Sequence, residues 1–278
     1  MDQKILDALL ETITPLQETE TYVKVLLYGE AGVGKTVLAC NFGEKVILVD
    51  SAEGWVSLIN HPEVEKKVQR IQYQGLSQLD AICDAIIEGH LVCDTLVLDE
   101  ASGIAVLDLD TVLKARSDKD ASKDPNIPTQ PDFFSNTERI RRAMSRILRL
   151  PCNVVLVSHQ REDRDERTGR TFIRPAFTPK TRQSIVQLCH LVGHLTANEL
   201  TDEDGTTYVR KLQVQPTAVI TAKSRIGGLP TVIDNPDFNT MFASWQDRIT
   251  DGISDIVQEP DAVVAESVNE DESISIGE

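Results

Sequence analysis

Residues Gly29-Glu30-Ala31-Gly32-Val33-Gly34-Lys35-Thr36 carry the strongest structural signal in the sequence, with the spacing G-x-x-x-x-G-K-T. They follow an apolar segment, 23–28, and precede a segment of helical character, 36–42. A strand, a glycine-rich turn and a helix in this order are typical of a phosphate-binding loop, or P-loop. The glycines let successive N–H groups face one anion, and the helix start adds the positive end of its dipole. The motif predicts that the phosphates of ATP bind at Gly29 to Thr36 and at Val37.

A bound magnesium nucleotide needs two further groups, and the sequence offers candidates for both. Lys35 supplies a mobile cation for the β- and γ-phosphates, and the Thr36 hydroxyl is a candidate ligand for Mg²⁺. Asp99 ends the apolar strand-like segment Thr95 to Asp99, where it can hold the water shell of the metal. We therefore predict ATP and Mg²⁺ as cofactors, with Thr36 and Asp99 at the metal.

Hydrolysis of a nucleotide needs a general base, and two carboxylates compete for this role. Glu100 directly follows Asp99, and Glu53 follows the second predicted strand, Lys45 to Asp50. His159 and Gln160 end the fourth strand, where a polar side chain can bind the γ-phosphate and sense its loss. Geometry decides which group acts as a base, so the residues alone leave both glutamates open.

Strand-like and helix-like segments alternate along the chain, which predicts an α/β doubly wound domain with a mostly parallel sheet and helices on both faces. The predicted strands are 23–28, 45–50, 95–99 and 153–158, and the predicted helices are 36–42, 76–87 and 139–150. Near the C-terminal end, 208–214 and 217–222 are predicted to add antiparallel strands. Segments 117–131 and 161–170 are predicted to be mobile because they are rich in proline or charge.

Two pairs of residues are assigned no chemical role. His190 and His194 stand four apart on a predicted helix, but no third metal ligand is evident nearby, so we do not predict a metal site there. Trp55 and Trp245 are predicted to pack in the core or a lid.

The charge distribution divides the chain into three parts. The net charge is −16, and nine of the 44 acids lie in 251–278, which contains no Lys or Arg. We predict an N-terminal amphipathic helix and linker at 1–22, an ATPase core at 23–248 and a disordered acidic tail at 249–278. The five scattered cysteines indicate reduced thiols. With no apolar run longer than four residues and no signal-peptide pattern at the start, we expect a cytoplasmic protein without membrane contact.

The P-loop, Glu53, Asp99 and the polar pair at 159–160, in this order, resemble the RecA-like ATPases over about residues 23 to 235. Three segments are most similar to the short phage-encoded RecA-core proteins of single-strand annealing and recombination: 27–32, 150–155 and 222–230. The resemblance implies that Glu53 activates water. However, Asp50 to Glu53 is one residue longer than the usual Asp-x-Glu of that family.

The resemblance also implies two DNA-binding loops after the third and fourth strands, at 117–131 and 161–178. The second contains Arg161, Arg164, Arg167 and Arg170, followed by Phe172 and Phe177. Arginines for phosphates and aromatic rings for base stacking suit single-stranded DNA. Four acids within the same segment oppose this charge, so a solvated hairpin tip or an arginine-rich nucleotide lid stays open.

Lys223-Ser224-Arg225 resembles the K-x-R that related helicases insert into the ATP site of a neighbouring subunit. Two cations at i and i+2 of a strand point the same way and can reach one phosphate. This role would require a homo-oligomer, either a ring or a filament.

Together these features predict a Mg²⁺-dependent, RecA-like ATPase that binds single-stranded DNA in phage-type recombination or annealing. Two alternatives remain open: a small-molecule kinase with an arginine-rich lid, and a low-turnover ATP-binding assembly module. A GTPase is disfavoured because no N-K-x-D motif occurs. The acidic tail is predicted to dock on the protein's own DNA groove or on partner proteins.

Overall fold

The computed structural model describes residues 22–202 and 205–243, together with Lys4, Leu6, Leu10, Thr12 and Ile13. Most of the predicted N-terminal helix and the whole predicted acidic tail lie outside the described residues. The three-part division of the chain therefore stays a prediction.

A ten-stranded sheet forms the centre of the fold, with the main strand order β10-β8-β7-β1-β5-β4-β2-β3. The six strands from β7 to β3 in this order are parallel, while β8 and β10 add to the edge in the antiparallel sense. The strands are β1 Lys24–Gly29, β2 Val46–Asp50, β3 Val68–Gln72, β4 Thr95–Asp99, β5 Asn153–Arg164, β6 Thr171–Pro175, β7 Leu191–Asp202, β8 Gly205–Gln213, β9 Lys223–Ser224 and β10 Val232–Asp234.

Helices cover both faces of this sheet. They are α1 Lys35–Cys40, α2 Pro62–Glu65, α3 Leu76–Ile87, α4 Ile104–Lys119, α5 Gln130–Ile147 and α6 Pro179–Leu188, with a 3₁₀ turn at Gly54–Leu58. Residues 238–243 are also helical. The predicted doubly wound α/β architecture, with a mostly parallel sheet and added antiparallel strands, is confirmed.

Two apolar layers follow from the alternation of side chains along the central strands. On β1, Leu26 and Tyr28 face the layer formed with α3, α5 and α6, whereas Val25 and Leu27 face the layer formed with α1 and residues 238–243. Side chains of successive strand residues point to opposite faces, so a strand buried on both faces has an unbroken apolar sequence.

Parallel pairing brings the carboxyl ends of the central strands to one edge. Gly29 at the end of β1 is in register with His159 on β5, and Asp50 of β2 is in register with Asp99 of β4. Beyond this edge, β5 continues into a hairpin with β6, and β7 continues into a hairpin with β8. The P-loop therefore lies between two β-hairpins that project past the sheet.

Several local predictions were wrong. Thr217 to Ala222 is not a strand, because it forms only an isolated bridge between Ile220 and Ile173, and β8 pairs with β7 and β10 instead. His190 and His194 do not lie on a helix, since His190 precedes β7 and His194 lies within it. In the segment 117–131, Arg116 donates to the carbonyls of Asp124 and Ile127, and the mobility expected for this segment stays a prediction. None of the helices that the structure describes is long and apolar enough to cross a membrane.

Candidate nucleotide site

The P-loop connects β1 to α1 with the backbone geometry that anion binding needs. Gly34 precedes α1 with φ +94°, a left-handed conformation that costs glycine little and other residues more. A Cβ at this position would also lie 2.5 Å from Nε of Arg210. The glycine of the G-K-T sequence is thus required by the turn and by a neighbouring strand.

Lys35 is buried inside the loop and is held by main-chain oxygens. Its Nζ donates to the carbonyl of Gly29 at 3.1 Å and to that of Glu30 at 2.6 Å. Burial lowers the pKa of Lys35, while the nearby carboxylates of Asp99, Glu100 and Glu30 oppose that shift. The ammonium group is therefore surrounded by negative groups at the position where the motif predicts the β- and γ-phosphates.

Thr36 and Asp99 meet across the site as the sequence predicts for a metal pair. The Thr36 hydroxyl donates to Asp99 Oδ2 at 2.6 Å. Burial raises the pKa of Asp99, since a carboxylate removed from water binds its proton more tightly. A hydroxyl and a carboxylate are oxygen donors of the kind that Mg²⁺ prefers, and Mg²⁺ usually takes one or two protein ligands besides phosphates and water. The residues fit this ion, although no cluster of three or more His, Cys, Asp or Glu suited to a metal occurs in the described part of the chain.

Glu100 lies buried beside this pair and is held by two neighbouring elements. Its Oε1 accepts from the Ser102 hydroxyl and from the backbone N–H of His159, the latter at 3.1 Å. Its Oε2 lies 3.1 Å from Nε2 of His159. Glu100 thus links the end of β4 to the middle of β5, and it is one of the three acids that act on Lys35.

Glu53 occupies a different environment. It is exposed and has φ +56°, and in the described part of the chain its carboxylate forms no hydrogen bond or ion pair. Its loop is folded around Asp50, whose Oδ1 accepts from the N–H of Gly54 at 3.0 Å and whose Oδ2 accepts from Arg70 at 2.7 Å. The extra residue in this loop therefore accompanies a glutamate that is exposed, whereas Asp99 and Glu100 are buried.

Gln160 joins the P-loop to β7. Its Nε2 donates to Glu30 Oε1 at 3.2 Å, and its Oε1 accepts from Nε2 of His194 at 2.9 Å. Burial lowers the pKa of His194, and its ring packs at 4.9 Å from that of Tyr28. Sequence reasoning predicted Gln160 in the site but assigned no role to His194, whose sequence neighbours give no hint of this contact.

The arginines of the β5–β6 hairpin are exposed, and the acids among them are engaged locally. Asp163 lies 2.7 Å from Nε of Arg161 and 3.5 Å from Nη1 of Arg174. Asp165 accepts from the backbone of Arg167 and from the Thr168 hydroxyl within the turn.

The two aromatic residues predicted for base stacking differ in the structure. Phe177 is buried in the core, so its predicted contact with DNA bases is wrong. Phe172 is partly exposed and packs at 4.6 Å under the guanidinium of Arg174.

Lys223 and Arg225 lie at the opposite edge of the sheet from the P-loop. Strand β9 pairs with the start of β7, which is in register with the start of β1. Nζ of Lys223 donates to the carbonyls of Val186, Gln187 and Cys189, and Arg225 also donates to Gln187. The two cations do point the same way, but within this chain they bind carbonyls at the C-terminal end of α6.

Arg210 of β8 contacts the P-loop, and sequence reasoning missed it. Its Nε donates to the carbonyl of Val33 at 3.2 Å. Arg210 is a single arginine in a strand, and no sequence motif marks it. The pairing of β7 with β8 is what places it beside the P-loop.

The parallel sheet, the P-loop and the Thr36–Asp99 pair define a P-loop NTPase. Comparison with family profiles matches residues 21–226 to the AAA domain, and the chain belongs to this family. A solved structure, the flagellar accessory protein FlaH from Methanocaldococcus jannaschii, is similar at 11% identity and a TM-score of 0.38, over 76% of this chain and 84% of that chain. Comparison with curated proteins found no significant match.

Proposed function

We propose that this protein is a Mg²⁺-dependent ATPase in which Glu100 is the general base. The observation that carries the proposal is the convergence of Lys35, the Thr36–Asp99 pair and Glu100 at the carboxyl edge of β1 and β4. A nucleotide site that binds ATP alone needs the first three groups. The buried and oriented Glu100 adds the group that water activation requires.

The contacts of the site indicate what each side chain does when a nucleotide binds. Lys35 exchanges the carbonyls of Gly29 and Glu30 for phosphate oxygens, which carry full negative charge and form stronger hydrogen bonds with an ammonium group. Thr36 and Asp99 would hold Mg²⁺, and the bound ion would neutralise part of the negative charge of the phosphates. Glu100 accepts a proton from the attacking water, and His159 at 3.1 Å stabilises the position of the carboxylate.

Two variants distinguish Glu100 from Glu53 as the general base. Glu100→Gln and Glu53→Gln each remove one carboxylate with little change in shape. Phosphate release at saturating ATP should fall by roughly 10²- to 10⁴-fold in Glu100→Gln, and ATP affinity should be retained. Glu53→Gln is the matched control and should turn over at a rate near that of wild type. An inactive Glu53→Gln beside an active Glu100→Gln would overturn the assignment in favour of the RecA-like expectation.

We also propose that the β5–β6 hairpin binds single-stranded DNA, in phage-type recombination or annealing. Arg164, Arg167 and Arg170 are exposed, and in the described part of the chain they form no ion pair. Two of the four acids among the arginines are held locally, Asp163 by Arg161 and Asp165 by the backbone of the turn. The hairpin therefore presents three arginines without an acidic partner among the described residues, and their guanidinium groups can contact phosphates.

This DNA proposal is tested by replacing Arg164, Arg167 and Arg170 together with alanine. Binding of a labelled oligothymidylate, measured by fluorescence anisotropy, should weaken, and its dependence on salt should become less steep by about 0.7 for each phosphate that the variant no longer neutralises. Arg149→Ala is the control, because Arg149 is exposed and lies near the start of β5, at the opposite edge of the sheet. Equal affinity and equal salt slopes for the triple variant and wild type would exclude the hairpin.

A homo-oligomer remains part of the proposal. Lys223 and Arg225 lie too far from the P-loop of their own chain to serve it, because they flank the start of β7 while the P-loop follows the end of β1. A role at an ATP site would have to be at that of a neighbouring subunit. Lys223 and Arg225 would then leave the carbonyls at the end of α6 when the subunits assemble.

A further inference from the structure

Arg210 occupies the space directly beside the P-loop. It is in register with Ala197 of β7, whereas β1 pairs with β7 only up to Tyr28 and His194. The partner of Arg210 thus lies three residues beyond the last β1–β7 pair, which is about 10 Å farther along β7 at the usual rise of a strand. The P-loop fills the region beyond the end of β1, so the hairpin delivers this side chain to it.

Two kinds of contact fix Arg210 there. Its backbone N–H donates to Asn235 Oδ1 at 3.1 Å, and its carbonyl accepts from the N–H of Asn235 at 2.7 Å. Its side chain reaches the loop, where Nε donates to Val33 O, and a Cβ on Gly34 would lie 3.2 Å from Cζ. The guanidinium is therefore packed against the two residues that precede Lys35.

Arg210 carries a partly buried positive charge. In the part of the chain that the structure describes, no carboxylate lies within ion-pair distance of it. The next residue, Lys211, instead pairs with Asp234 at 3.7 Å. A partly buried cation without an anion is electrostatically unfavourable, and an arginine has four further N–H donors once Nε is used.

We propose that Arg210 is a second cation of the nucleotide site and binds the phosphates of the nucleotide that the P-loop holds. This inference rests on the proposed function, because it needs a nucleotide in the loop. Phosphate oxygens supply the missing negative charge, and the planar guanidinium forms paired hydrogen bonds with them. Arg210 acts from the same chain as the P-loop, unlike the proposed role of Arg225.

The inference predicts a specific pattern of binding losses. Arg210→Ala should weaken ATP and ADP by about 10-fold or more, as expected for loss of hydrogen bonds between charged groups. Inorganic triphosphate should lose affinity by a similar factor, because it keeps the phosphates and lacks the nucleoside. Arg210→Lys should recover part of the loss. Lys211→Ala removes a cation from the adjacent position on the opposite face of β8, and it should bind like wild type.

Isothermal titration of each ligand in the presence of Mg²⁺ measures these affinities, beside thermal melting of each variant without ligand. Wild-type affinity of Arg210→Ala for ATP and triphosphate would overturn the inference. The inference would also be overturned if Arg210→Ala lost affinity for ATP but not for triphosphate, or if Lys211→Ala lost as much affinity as Arg210→Ala. If wild type itself binds neither ATP nor triphosphate, the proposed function fails rather than the role of Arg210. A purely structural contact with Val33 would lower the melting temperature in Arg210→Ala and in Arg210→Lys without the triphosphate effect.

Discussion

Replacing Gly54 with alanine tests the geometry of the metal pair at atomic detail. A Cβ at this position would lie 2.6 Å from Asp99 Oδ2 and 3.3 Å from the Thr36 hydroxyl oxygen, whereas real Cβ atoms essentially never approach closer than 3.0 Å. The loop cannot easily yield, because Asp50 Oδ1 accepts from the N–H of Gly54 at 3.0 Å. The carboxylate of Asp99 must therefore shift by several tenths of an ångström from Thr36.

The size of the effect follows from the contact that Asp99 would make with the water shell of Mg²⁺. A hydrogen bond to a charged carboxylate contributes about 1.5 to 3 kcal/mol, and a displaced Asp99 would lose it. Loss of that contribution corresponds to a fall of about 10- to 150-fold in affinity for Mg²⁺–ATP. Affinity for ATP in EDTA should change little, because the atoms nearest to the added Cβ belong to Asp99 and Thr36 rather than to Lys35 or the glycines of the P-loop.

Titration calorimetry with Mg²⁺ and with EDTA separates these two affinities. Gly227→Ala is the matched control, since a Cβ there meets nothing within 4 Å. Equal Mg²⁺–ATP affinity in Gly54→Ala and Gly227→Ala would refute the reasoning. So would an equal loss with and without the metal, because the effect would then not concern the Thr36–Asp99 pair.

Three further predictions concern other parts of the molecule. Burial lowers the pKa of Lys24 from 10.5 to about 8, so the unfolded chain binds the proton more tightly and the free energy of unfolding should rise by about 3 kcal/mol from pH 8 to 10.5. The difference in free energy of unfolding between wild type and Lys24→Met, measured by denaturant titration at each pH, should show this rise. A difference that does not change with pH would contradict the prediction. Mixing Lys35→Ala with Arg225→Ala subunits should restore some ATPase activity, and no recovery despite proven co-assembly would exclude a role across an interface. Deleting 251–278 should tighten binding of single-stranded DNA, more at low than at high salt, whereas superimposable salt titrations would show that the tail does not compete with DNA.

The nucleotide site was largely predictable because its residues are ordered by short-range rules. The P-loop spacing fixes a strand, a turn and a helix, and an acid at the end of a neighbouring parallel strand reaches the same edge of the sheet. Lys35, Thr36, Asp99 and Glu100 meet in the structure for this reason. The preference for Glu53 came from a resemblance, and the one-residue insertion before it is folded by contacts of Asp50 that no local pattern reveals.

The remaining parts of the site depend on pairings between distant segments. Arg210 reaches Val33 through the β7–β8 hairpin, across 177 positions of sequence. His190 and His194 were expected on a helix, although Leu191, Val192 and Leu195 are buried in a strand that pairs with distant segments. Thr217 to Ala222 has strand-like composition, but its backbone is used in isolated bonds to Ile173.

Binding of ATP to wild type and to Lys35→Ala, each measured by titration calorimetry with Mg²⁺ and with EDTA, decides whether this edge of the sheet is a nucleotide site. Wild type should bind ATP more tightly with Mg²⁺ than with EDTA, since Thr36 and Asp99 meet at 2.6 Å beside the loop. Lys35→Ala should lose tight binding under both conditions, because Lys35 is the cation that the loop encloses. ATP affinity unchanged by Lys35→Ala, or no ATP binding by folded wild type, would contradict the claim that this edge of the sheet is a nucleotide site.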